Sequence, residues 1–111
     1  MTDELDCRLF VDGAGDRDAL TARVRALLGL DADGRWLTGQ GMTVLVDANP
    51  YARGRRAEDP EFLAYPLSVE WYFEPDVTRE CRVELIGGVM LAVRADGGRV
   101  VAACDYEDAL P

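Results

Sequence analysis

The chain has 111 residues, which fits one domain (1–111) and leaves no room for two ordinary ones. Its net charge is −9, so a nucleic-acid backbone or an anionic membrane surface would be repelled, and a basic protein would be attracted. It contains no histidine, and all 12 basic residues are arginine; that excludes an imidazole base, a histidine metal ligand, a Schiff-base amine and a P-loop lysine.

The first element is read at 5–11, "LDCRLFV". Leu5, Cys7, Leu9 and Val11 share one face and Asp6, Arg8 and Phe10 the other, the period of a half-buried strand. "DGAGD" breaks it, and Asp16 is placed to cap a helix. Leu20, Val24, Leu27 and Leu28 form that helix's apolar stripe, and Gly29 stops it. Residues 30–41, with three glycines, read as a loop that tucks Trp36 and Leu37 under the helix. "MTVLVDA" is the second strand. A long irregular segment, "NPYARGRRAEDPEFLAYP", leads to the clearest strand, "LSVEWYFE", with Leu67, Val69, Trp71 and Phe73 on its core side. Thr78 caps a second helix striped by Leu85, Ile86, Val89, Met90 and Val93. Gly87 and Gly88 fall mid-helix and weaken it by about 1 kcal/mol each relative to Ala. "RVVAACD" is the last strand.

The order β-α-β-β-α-β predicts an α+β, ferredoxin-like split βαβ sandwich. Its sheet would be four-stranded and antiparallel, in the order 4-1-3-2, with both helices on one face. The weak point is the middle connection, roughly 18 residues where such hairpins are short.

Cys7, Cys81 and Cys104 are odd in number and lack CxxC spacing. They provide no zinc site and no disulfide framework, which fits a reducing cytoplasm. The acidic start "MTDELDC" is unlike a signal peptide, and no apolar run approaches the length of about 18 residues needed to span a membrane.

Three regions are candidates for chemistry or binding. At the C-terminal end, Asp105, Glu107 and Asp108 follow Cys104 closely. Strand alternation turns Cys104 toward the core, and the carboxylates raise a thiol pKa, so a buried structural thiol and a solvated strand end are expected rather than a thiol or metal site. The middle loop carries Arg53, Arg55 and Arg56 with Tyr51, Phe62 and Tyr65 nearby. Such a set either captures an anionic ligand or pairs with Glu58, Asp59 and Glu61. On the sheet face without helices, Phe10, Leu45, Tyr72 and Val101 make an apolar patch suited to a protein partner or to a second copy in a homodimer.

"AACDYEDALP", "VDANPYARGRR" and "DPEFLAYPLSVEW" together resemble a family of small actinobacterial proteins that close with an Ala-Cys-Asp-aromatic-Glu segment. That family has no established activity, so the resemblance implies no functional residue. The Gly87–Gly88 pair departs from it. The expectation for function is a cytoplasmic, non-enzymatic protein-binding module without a cofactor or metal. An acidic immunity or antitoxin protein masking a basic toxin is one concrete version. The alternative is a small-molecule-binding or enzymatic domain that uses the Arg53–Arg56 loop.

Overall fold

The structure is a computed structural model describing residues 5–54 and 58–111. Eight regular elements follow in chain order: β1 (Cys7–Asp12), α1 (Arg17–Leu28), β2 (Asp31–Asp33), β3 (Trp36–Gly39), β4 (Met42–Ala48), β5 (Leu67–Phe73), α2 (Arg79–Ala95) and β6 (Arg99–Ala103). Short 3-10 turns cover Glu61–Ala64 and Glu107–Ala109.

Both helices form where their caps allow. Asp16 Oδ1 accepts the Ala19 N–H at 2.8 Å and starts α1. Gly29 ends it in the left-handed region, φ 63°, and returns its N–H to the Arg25 carbonyl. Thr78 Oγ1 accepts the Cys81 N–H at 3.2 Å and starts α2. The glycine pair does not break α2, which runs 17 residues without interruption. Gly87 has a packing reason: a Cβ there would stand 3.2 Å from Pro111 Cδ, so the chain end lies against it.

The described strands form one antiparallel sheet in the order β2-β3-β4-β5-β1-β6. This corrects the expected ferredoxin-like, four-stranded sandwich, because the sheet has six strands. The two extra strands come from residues 31–39, read above as loop. Gly34 has φ 62° while Arg35 stays at negative φ, the pattern of a type II′ turn joining β2 to β3. Gln40 (φ 52°) and Gly41 (φ 77°) are both left-handed, the pattern of a type I′ turn joining β3 to β4. Gln40 also donates from Nε2 to the Leu28 carbonyl, which gives the C-terminal end of α1 a partner.

The core lies between the helices and one sheet face. Leu9, Val11, Val44, Val69 and Trp71 are at most 1 % exposed, and they meet Leu20 and Val24 of α1 and Ile86, Val89 and Met90 of α2. Leu37 joins this core, but Trp36 points to the opposite face rather than under the helix. Leu27 is exposed and Leu28 takes its place in the stripe. Among the described residues, no helix is long and apolar enough to cross a membrane.

Candidate functional site

The sheet face away from the helices is built from cross-strand neighbours. Register sets Trp36 opposite Leu45, Leu45 opposite Glu70, Glu70 opposite Arg8 and Arg8 opposite Ala103. One row therefore crosses five strands and carries a charged pair at its centre. Arg8 Nη2 donates to Glu70 Oε1 at 3.0 Å, with both side chains mostly buried. Tyr72, two residues along β5 on the same face, donates its hydroxyl to the same Oε1 at 3.1 Å. Burial works against the Arg8 charge, yet the bonds and charge of Glu70 and the neighbouring Tyr51 hold its pKa above the ordinary arginine value. Burial, and then the Glu70 charge, push the Tyr72 phenol up.

Aromatic rings flank this polar centre. Trp36 meets Tyr72 edge to face with centroids 5.8 Å apart. On the other side, the Arg8 guanidinium lies 5.2 Å from the centroid of the Tyr51 ring. Trp36 is 39 % exposed and Tyr51 49 %. Asp33, paired with Trp36 across the β2–β3 turn, and Asp31 beside it are exposed.

The predicted binding residues are brought together only in part. Phe10 is 3 % exposed, lying beneath Phe62 and Tyr51 at centroid distances of 5.1 and 6.1 Å. Leu45 is also buried, whereas Tyr72 and Val101 are half-buried. At this end the outer surface belongs to the loop that follows β4, not to the strands. Asn49 anchors that loop from a buried position. Its Nδ2 donates to the Leu63 and Tyr65 carbonyls at 2.9 and 2.8 Å, and its Oδ1 accepts the Tyr51 N–H at 3.0 Å. Arg99 adds a second anchor: it stacks over Tyr65 at 4.8 Å and pairs with Glu61 at 3.0 Å and with Asp12. The sequence reading missed Asn49 and Trp36. The "NPY" turn and an aromatic beside "DG" were the signals that could have found them.

Of the arginine cluster, Arg53 is exposed, and Arg55 and Arg56 lie outside the described residues. Glu61 pairs with Arg99. At the C-terminal end, Cys104 is half-buried rather than buried, and Asp105, Glu107 and Asp108 do not converge. Among the described residues, no three His, Cys, Asp or Glu side chains are placed to hold a metal.

A cleft of ≈ 470 Å³ opens near Asp105, lined by Leu5, Asp6, Val77, Arg79, Arg82 and Tyr106. No described residue of the 49–66 loop lines it. Each nitrogen of its inner arginine already donates a hydrogen bond. Arg82 pairs with Asp6 at 2.7 Å, donates to the Val77 and Glu74 carbonyls, and stacks on Phe73. Three of its five N–H groups are thereby taken, and its charge is already paired with Asp6. Ser68, the only serine, is fully buried, and among the described residues its hydroxyl has no hydrogen bond to a base that could activate it.

Comparison with known proteins returns no match: no family model fits the chain, and neither a curated protein nor a solved structure is significantly similar to it.

Proposed function

We propose that this chain is a non-enzymatic protein-binding module that presents the helix-free sheet face to a basic protein surface. The observation that carries the reading is the pair of part-exposed rings, Trp36 and Tyr51, set on either side of the Arg8–Glu70–Tyr72 strip. Interfaces are enriched in Trp, Tyr and Arg, and such rings act as anchors. Asp31 and Asp33 stand beside Trp36, and the net charge of −9 favours approach of a basic partner and opposes polyanions. An immunity-like protein that covers the basic surface of a toxin is a form of this role that charge and size support. The small-molecule reading has less behind it, because the cleft at Asp105 is separate from the described residues of the loop and Arg82 is engaged.

A photo-reactive amino acid placed singly at positions 36, 51 and 91 in the native cell tests the proposal. Leu91 is the control, exposed on α2. Cross-links from 36 and 51 to one basic protein, absent from 91 and lost with Asp31→Arg plus Asp33→Arg, are expected. Equal cross-linking from position 91, capture only of acidic proteins, or products joining two copies of this chain would contradict it.

A further inference from the structure

Cys7 and Cys104 are 97 positions apart in the chain, and their sulfurs are 2.8 Å apart in space. The sheet brings them together. The β1–β6 register ends with Arg8 opposite Ala103, so Cys7 and Cys104 are the next opposed positions. Opposed residues of antiparallel strands lie about 4.5–5.5 Å apart at Cα. That separation is within the roughly 4.4–6.8 Å that a disulfide spans. Both cysteines are free thiols, with the Cys7 Sγ–H donating to Cys104 Sγ.

We propose that Cys7 and Cys104 form a reversible intramolecular disulfide that fastens the C-terminal tail to β1. The two thiols differ in access. Cys7 is 1 % exposed and Cys104 is half-buried at the surface, so Cys104 is the point of entry. The co-reactant is a low-molecular-weight disulfide. Cys104 loses its proton to solvent, and its thiolate attacks one sulfur, releasing the other half as a thiolate. Cys7, deprotonated in turn, then attacks the Cys104 sulfur of the mixed disulfide and releases the second half. In total, two protein thiols are oxidised to one S–S bond, and the small disulfide is reduced to two thiols.

The surroundings set the pace. Burial holds the Cys7 thiol far above its ordinary value, helped by Cys104, Asp6 and Glu107; burial also raises Cys104. Asp105, which also raises Cys104, and Tyr106 are the other titratable neighbours, and Tyr106 packs against the same core. Closure is therefore slow at neutral pH and faster as pH rises. In a reducing compartment the pair stays as thiols; in an oxidising one it closes. Cys81, exposed on α2, takes no part.

The test is made on the Cys81→Ser chain, reduced and then equilibrated with oxidised glutathione in the native state. After denaturation, mass spectrometry should show the loss of two hydrogens and no alkylation by iodoacetamide. Digestion without reduction should release one cross-linked pair of peptides holding Cys7 and Cys104. Dithiothreitol should return both thiols. Further substitution of Cys104→Ser should abolish closure. Two thiols still open to alkylation after equilibration, glutathione retained on Cys104, or a bridge joining two chains would overturn the proposal. The Cys81→Ser chain retains both thiols in question, so a folding defect in the Cys104→Ser chain does not blur the result.

Discussion

The two faces of the sheet are made from alternate residues of the same strands, yet they solve different problems. Toward the helices, β1 and β5 place Leu9, Val11, Val69 and Trp71, all fully buried and apolar. One residue out of step, the same strands place Arg8, Phe10, Ser68, Glu70 and Tyr72. The first face is a packed core whose value is stability. The second holds a part-buried ion pair and half-exposed rings, which contribute less to folding than apolar packing of similar area. A face that stabilises less and displays aromatic rings is where binding is to be sought.

The two tryptophans separate these faces most sharply. Trp71 is 0 % exposed and stacked on Phe73, so Trp71→Ala should cost about 3–5 kcal/mol in urea unfolding, a large share of the stability of a domain this size. Trp36→Ala should cost about 1 kcal/mol, the scale of one edge-to-face contact. Equal losses would mean that the two faces are not different in kind.

The loop over Phe10 comes next in size. Asn49→Ala removes two donated hydrogen bonds and one accepted bond at a buried site, leaving the Leu63 and Tyr65 carbonyls without that partner. A loss of about 1–3 kcal/mol is expected. It should appear in hydrogen exchange as opening between residues 49 and 66 and around Phe10, with the helix-side core still protected. Simultaneous opening of both faces would show that the loop and the core form one cooperative unit.

The smallest effect is in pH. The Tyr72 phenol is raised in the folded chain above its ordinary value of 10.0, chiefly by burial and then by Glu70. The folded state thus binds the phenolic proton more tightly than the unfolded state does. The resulting stability is fully present below the unfolded pKa and is lost as pH rises through the raised one. Stability should fall in this alkaline window, and Tyr72→Phe should make the fall shallower. An unchanged slope would remove Tyr72 from the linkage.

How much of this was legible follows from period and context. The strands β1, β4, β5 and β6 and both helix caps could be read, because strict alternation and Asp16 or Thr78 before an apolar stripe are local signals. The β2–β3 hairpin could not. Asp31, Ala32 and Asp33 are all exposed and show no alternation, and a type I′ turn built on Gln40 lacks the usual Asn-Gly signature. That gap turned a six-stranded sheet into an expected four-stranded one. Phe10 was rightly assigned to the face away from the helices, but alternation does not say what covers a face. Its cover depends on Asn49 folding the loop back across some 16 positions of sequence, a tertiary event. The thiol pair was hidden for the same reason: only the β1–β6 register brings Cys7 to Cys104.

The central claim is that Trp36 stands open at the end of the helix-free face that the described residues of the 49–66 loop leave uncovered. With Trp71→Phe, the core keeps an aromatic ring and Trp36 becomes the only tryptophan. Acrylamide quenching of its emission, measured from dilute to concentrated protein, tests that claim directly. The account predicts red-shifted emission and ready collisional quenching that do not change with concentration. A blue-shifted, quench-resistant indole, or access that disappears as the protein is concentrated, would contradict it.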